Sequence, residues 1–269
     1  MIKVVITGAC GRMGSAVLKL AASDPAFVIT HVLEIATHPL VGSAIDVPGV
    51  AGASFLLEDS LAHVVDDCDV VIDFTHSDAS LLHLRLTSEK GKAIVIGTTG
   101  ISPETMAEMK AMPAALAVIS PNMSIGVNLL FTLVDRAARL IGRDYDTEII
   151  EIHHKWKKDA PSGTAVKLRD IIMTAGPDRQ WTEVTGRRGM IGERKSDEIG
   201  VMAVRAGDIV GEHTVLFAGV GERLEITHRA YSRENFAHGA LAAAKWIVHQ
   251  RDGIYDMGDV LGLSEKHDA

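Results

Sequence analysis

Cysteine is scarce in this 269-residue chain, which has Cys10 and Cys68 and no more. Two thiols cannot build a disulfide framework, so the fold has to be held by an ordinary core. Proline is also sparse at 8, against 25 glycines, while 47% of residues are hydrophobic and 23% charged. That composition excludes a disordered tail protein. Basic residues are outnumbered, 27 to 35, giving a net charge of −8, which argues against a nucleic-acid-binding surface spread over the whole protein and leaves room only for local basic patches. The opening MIKVVITGACGRMG lacks the long apolar core and cleavage site of a signal peptide, which predicts a cytoplasmic protein. The stretch 111–134 carries no charge, but Pro113, Pro121, Asn122, Ser124 and Asn128 interrupt it. It reads as a buried strand, a loop and a helix rather than a membrane span.

No internal repeat or low-complexity segment is present. The first half alternates short β-branched runs with helical patterns, the rhythm of a parallel sheet covered by helices. Strands are expected over 2–7, 27–33, 69–73, 93–96 and 116–120, and helices over 13–22, 80–90 and 103–112. The length, roughly twice that of a typical single domain, allows two modest domains or one large α/β domain. Beyond Pro121 the pattern changes to a helix over 129–141, a strand over 147–154, a helix over 162–174 and alternating runs at 201–205, 214–217 and 224–229. These suggest an open mixed sheet. The boundary is therefore placed near residue 124, and the helical run 237–249 fits either domain.

Gly8-Ala9-Cys10-Gly11-Arg12-Met13-Gly14 follows the first strand and opens a helix. There, glycines permit a tight turn and the close approach of a pyrophosphate to backbone N–H groups. Taken alone, such a turn equally serves close helix–strand packing. Glu34, 20 residues after Gly14 at the end of the second strand, adds a carboxylate suited to ribose hydroxyls. It should repel a 2′-phosphate, whereas Arg12 at the mouth of the turn could neutralise one or simply be solvated. Later strand ends offer Phe74-Thr75, Gly97-Thr98-Thr99-Gly100 and Ser120-Pro121-Asn122-Met123, at the sheet edge where open α/β folds bind ligands. Each also suits plain turn chemistry.

The densest polar run is Glu151-Ile152-His153-His154-Lys155-Trp156-Lys157-Lys158-Asp159-Ala160-Pro161-Ser162-Gly163-Thr164, with five cationic or titratable side chains in six residues. It suits an anionic substrate, or else a solvated face. Neighbouring His153 and His154 on an extended segment point to opposite faces, and no HExxH pattern occurs, so no metal site is expected. Gly163 and Thr164 open a helix whose free N–H groups could hold a carboxylate, with Ser162 as its cap. Adjacent His and Lys suit proton transfer.

Taken together, GACGRMG (8–14), DFTHSD (73–78), VIGTTG (95–100), NMSIGVN (122–128), EIHHKWKKDAPSGTA (151–165), VRAGDIVGEHTV (204–215) and GERLEITHRAYSRENFAHGA (221–240) resemble the dihydrodipicolinate reductase family over nearly the whole chain. The histidine–lysine stretch is the specific motif. The resemblance implies an α/β fold. It has a Rossmann-type dinucleotide-binding domain over 1–124, completed by 234–269, and an α+β substrate and oligomerisation domain with an open mixed sheet over 125–233 that builds a homotetramer. It implies NAD(P)H-dependent reduction of 4-hydroxy-tetrahydrodipicolinate, a small dicarboxylate, to tetrahydrodipicolinate with loss of water, in diaminopimelate and lysine biosynthesis. His153 would be the acid/base residue, Lys157 the proton donor, and His154, Gly163 and Thr164 substrate-binding groups. Cofactor contacts would come from Gly8, Ala9, Cys10, Gly11, Arg12, Met13, Glu34, Gly97, Thr98, Thr99, Ser120, Pro121, Asn122 and Met123. Arg233 would lie near the hinge. One departure stands out: many members place Arg directly after the ribose-binding acid, and this chain has Ile35. NADH is therefore expected to be preferred, with NADPH tolerated through Arg12. Two other readings compete: a related oxidoreductase acting on a different dicarboxylate, and a regulatory protein that binds NADH without chemistry. Catalytic turnover separates the second from the rest.

Overall fold

The computed structural model describes residues 1–141, 144–176 and 180–263. The chain divides into two compact units, Met1–Ile125 with Arg233–Ala269, and Gly126–Ser232.

The first unit begins with β1 (Ile2–Thr7), α1 (Arg12–Ser23), β2 (Phe27–Leu33), β3 (Ala44–Asp46), β4 (Ser54–Glu58), α2 (Leu61–Val64), β5 (Val70–Asp73), α3 (Ser77–Glu89), β6 (Ala93–Ile96), α4 (Pro103–Lys110) and β7 (Leu116–Ile119). The second unit holds most of α5 (Ile125–Ile141), then β8 (Asp146–His153), α6 (Gly163–Ala175), β9 (Thr182–Val184), β10 (Glu198–Arg205), β11 (Gly211–Gly219) and β12 (Glu222–Ala230). Finally α7 (Glu234–Ile247), β13 (Gly253–Tyr255) and α8 (Met257–Val260) return to the first unit.

Successive residues of the early strands enter two separate apolar clusters. Val4, Ile6, Val70, Ile72 and Val95 pack with α1 and α7 on one face, whereas Val5, Val71, Ile94 and Ile96 pack with α3 and α4 on the other. A strand buried on both faces reads as a continuous apolar, β-branched-rich run, which is why β6 and the inner part of β1 are legible in the sequence. The sheet order is β13-β7-β6-β5-β1-β2-β4-β3, parallel throughout except for β3 against β4. The chain steps from β1 to β2 on one side and to β5 on the other, so the order reverses at β1 and leaves a crevice at the carboxyl ends of these strands.

Four short strands carry too little pattern to be read in advance: β3, β4, β9 and β13. Their pairing partners select them, as when β13 adds parallel to β7 beyond Leu116. Helix α5 starts four residues before the expected 129, because Val127 and Asn128 turn inward and are buried there despite the loop-like composition. Strand β8 ends at His153, so His154 lies outside it.

In the second unit the sheet order is β12-β11-β8-β10-β9, with β8, β10 and β9 parallel and β11 and β12 antiparallel. Helices α5 and α6 cover one face, burying Ile149, Val201, Val215 and Phe217 against Val134 and Leu168. The alternate residues Ile150, Ile152, Met202 and Leu216 are only half-buried, and Val204 is exposed.

In the first unit, α7 crosses the segment after β7 so closely that a Cβ on Gly239 would stand 1.7 Å from the Met123 carbonyl oxygen. Gly239→Ala should therefore destabilise this unit by about 1–3 kcal/mol, read from urea unfolding, because the clash is with backbone and cannot be relieved by a rotamer change. An unchanged midpoint would show that α7 can slide.

Candidate functional site

At the β1–α1 turn each glycine has its own reason. Gly8 has φ +70° and a Cβ there would lie 2.4 Å from the Phe74 carbonyl; one on Gly14 would lie 1.9 Å from the Gly8 carbonyl. Gly11 caps α1 without a side-chain cap, and it is exposed, so the first-turn N–H groups of the helix are offered to an anion. Strand β4 then completes the arrangement: Glu34 N–H donates to the Glu58 carbonyl at 2.9 Å. The Glu34 carboxylate accepts from the Cys10 N–H at 3.0 Å and from the Ile35 N–H at 3.1 Å. Each oxygen keeps capacity for a further donor such as a ribose hydroxyl.

Gly8, Gly11, Glu34 and Ile35 border a cleft of about 430 Å³ that also takes in Thr7, Asp59, Phe74 and His83. The Thr7 hydroxyl is buried there with no partner among the described residues. An open helix start, a close-approach turn, a ribose-ready carboxylate and an orphaned hydroxyl fit a dinucleotide. Two carboxylates, Glu34 and Asp59, line the cleft, and no lysine or arginine does among the described residues.

Other expected contacts differ in availability. Thr98 is 5% exposed, and its hydroxyl accepts from Ser80 Oγ at 2.7 Å in a network around the fully buried Asp73, which also receives Thr75 and His83. Thr99, Pro121, Gly11 and Arg12 are exposed. Ala9 and Met123 have their side chains in the core, so any ligand would meet only their backbone. Gly97 leaves room for the Phe74 ring, which a Cβ would meet at 2.2 Å. Ser120 Oγ donates to the Asn122 carbonyl at 2.9 Å, shaping the loop after β7.

In the second unit the alternation of β8 turns Glu151 and His153 to the same buried face. His153 Nδ1 lies 2.5 Å from Glu151 Oε2. The Arg205 guanidinium, from β10, forks onto both carboxylate oxygens at 2.8 Å each, and the Ser162 N–H donates to Oε1 at 3.0 Å. Burial works against the charge, yet the hydrogen bonds from His153 and Arg205 hold the Glu151 carboxyl down to about 2. His213 on β11 stacks edge-on to His153, with ring centroids 5.1 Å apart, and shares a hydrogen bond with Ser162 Oγ at 3.0 Å. Its Nδ1 has no partner among the described residues. Burial first, and then the neighbouring His153, push the His213 imidazole down to about 3.

Ser162 caps α6 by accepting the Ala165 N–H. Gly163, next to it, is exposed, with nothing within 4 Å of where a Cβ would stand. Lys157 Nζ donates to Asp159 at 2.9 Å, and His154 is half-buried beside the Trp156 ring. His153, Lys157, Gly163 and Thr164 thus belong to one continuous polar structure built from β8, the loop after it and the start of α6. Glu151, Arg205, Asp159 and His213 contact this structure; Glu151 and Asp159 lie inside the polar run, whereas Arg205 and His213 come from strands far along the chain. The Glu-Ile-His alternation within a strand is the signal that points to Glu151. Among the described residues no group of three or more His, Cys, Asp or Glu is placed to hold a metal ion, and no helix is long and apolar enough to cross a membrane.

A doubly covered parallel sheet with a glycine turn and a terminal acid, joined to a second unit with its own mixed sheet and polar cluster, defines a two-part α/β oxidoreductase of the dinucleotide-binding kind. Models of the dihydrodipicolinate reductase N-terminus and C-terminus match residues 2–123 and 126–261. The chain belongs to the dihydrodipicolinate reductase family, which uses a nicotinamide cofactor. Proteins called 4-hydroxy-tetrahydrodipicolinate reductase from Syntrophus aciditrophicus and Syntrophobacter fumaroxidans are 45% and 47% identical to it over 266 residues, covering 98% of this chain and 99% and 100% of theirs. A solved structure, a dipicolinate-bound dihydrodipicolinate reductase from Paenisporosarcina sp. TG-14, shares the fold with a TM-score of 0.76 at 24% identity, covering 95% of this chain and 97% of its own.

The buried His213 makes stability sensitive to acid. Between its ordinary value of 6.5 and about 3, the unfolded chain binds a proton at this residue that the folded protein does not. The stability present above 6.5 is therefore lost as pH falls, by about 2 kcal/mol between pH 7 and pH 5. Urea midpoints measured across that range should fall for the natural protein and fall less for His213→Gln; identical slopes would contradict this origin.

Proposed function

We propose that this protein reduces 4-hydroxy-tetrahydrodipicolinate to tetrahydrodipicolinate with loss of water, using NADH in preference to NADPH, in the cytoplasm. The observation that carries this reading is the continuous structure linking His153, Lys157 and the start of α6 through a buried carboxylate. Bound at the β1–α1 turn, the nicotinamide dinucleotide supplies the hydride.

The chain's own residues do the rest. His154, Gly163 and Thr164 hold the substrate carboxylates, for which an exposed helix start next to a lysine-rich loop is electrostatically suited. His153 and Lys157 supply and accept protons at the ring atoms and at the departing hydroxyl. Asp159 accepts a hydrogen bond from the Lys157 ammonium at 2.9 Å. Around the nucleotide, the first-turn N–H groups of Arg12 and Met13 take the pyrophosphate, which Gly8 and Gly11 let approach the backbone, and Glu34 takes the ribose. Ala9, Cys10, Gly97, Thr98, Thr99, Ser120, Pro121, Asn122 and Met123 shape the path of the rest. The half-buried apolar face of the second sheet, around Ile150, Ile152 and Met202, suits a second copy of the chain, supporting a homotetramer.

Cofactor preference follows from charge. A 2′-phosphate near Glu34 and Asp59 is opposed by about 1–3 kcal/mol for each unit charge at about 5 Å, with Ile35 in place of a cation. Steady-state kinetics should give kcat/KM roughly tenfold or more higher for NADH. A clearly higher value for NADPH would overturn the preference. Lys157→Ala should lower kcat by about 100-fold or more, whereas Thr164→Val should mainly raise KM, by roughly tenfold. Wild-type kinetics in both variants would refute these roles.

A further inference from the structure

We propose that the buried Glu151–Arg205 pair is the positioning element for both proton-transfer groups, fixing the tautomer of His153 on one side and the location of Lys157 on the other. This rests on the reading of His153 and Lys157 given above.

Glu151 has no exposed surface, and all of its partners contribute to the arrangement. As an ionised carboxylate it only accepts, so the ring nitrogen it faces, His153 Nδ1, must carry the hydrogen. The other nitrogen, Nε2, is then the one left for chemistry. Gly211 keeps that side clear, since a Cβ there would come within 3.0 Å of Nε2. Arg205 completes the second half. While its fork engages both Glu151 oxygens, its NH2 group also donates to the Asp159 carbonyl at 2.7 Å. The side chain of that same Asp159 holds the Lys157 ammonium. From β8 and β10, which run side by side with Arg205 opposite His153, one ion pair therefore sets two side chains that belong to a strand end and a loop. A loop lysine held only by its own neighbours would have no fixed relation to the strand.

The two oxygens of Glu151 are not equivalent, and this makes the idea testable. Oε1 receives Arg205 and the Ser162 N–H, both obligate donors, whereas Oε2 receives Arg205 and His153. In Glu151→Gln the amide nitrogen loses least at the Oε2 position, because the imidazole can move its proton to Nε2 and accept at Nδ1, whereas Ser162 N–H cannot change roles. The substitution should therefore reverse the tautomer.

The experiment uses the full chain. Long-range ¹⁵N–¹H spectra should show His153 as the Nδ1–H form in the natural protein and as the Nε2–H form in Glu151→Gln. With substrate, that variant should keep its NADH affinity and KM within about twofold and lose roughly 10- to 100-fold in kcat, the scale of one misplaced acid–base group. Arg205→Lys, which keeps the charge and loses the fork, should retain the Nδ1–H form and lose at least about fivefold in kcat. It decides the matter if Glu151→Gln does not fold. An unaltered tautomer or wild-type kcat in Glu151→Gln, or wild-type kcat in Arg205→Lys, would overturn the proposal. His153→Gln separates the levels. If it is inactive while Glu151→Gln is fully active, positioning fails and the His153 assignment stands; if it keeps wild-type kcat, both fall.

Discussion

A carboxylate with no exposed surface is the constraint on which the second unit's polar end depends. Removing one partner from such a buried ion pair costs about 3–5 kcal/mol, so the surroundings of Glu151 are not free to vary independently. Its four donors come from β8, from β10 and from the residue capping α6. Satisfying it consequently fixes the end of one strand, the register of its parallel neighbour and the point at which a helix begins. The basic loop between β8 and α6 is held at both ends by the same group.

The first unit solves a different problem with different means. There the ligand-facing surface is mostly backbone, made accessible by glycines and by a helix start that has no side-chain cap. Charge enters through carboxylates rather than cations. A backbone site suits what many nucleotides have in common, and in the proposed reading Glu34 and Ile35 select among them. The polar end of the second unit, rich in His and Lys, suits the dianionic substrate of the proposed reading.

Much of this was legible in the residue order, and what was not has identifiable causes. β6 and the inner part of β1 are continuous apolar runs because both their faces are buried, and the glycine turn follows from its place between strand and helix. The three-residue β13 has no pattern of its own and exists through pairing with β7. β4 likewise escaped reading, although it holds the backbone of Glu34. In the polar cluster His153, Lys157, Gly163 and Thr164 lie within one contiguous motif. Arg205 is 54 residues away from the carboxylate it grips, and only the parallel pairing of β8 with β10 brings it there. Short-range motif reading finds groups that act on a ligand more readily than groups that act on those groups.

The central claim is that the start of α6 and the loop before it receive a doubly negative ring acid. It is tested most directly by titrating isotopically labelled protein with pyridine-2,6-dicarboxylate and following the resonances of individual residues. Saturable shifts concentrated on His153, His154, Gly163 and Thr164 are predicted. Shifts confined to the glycine turn, or none at all, would contradict the account.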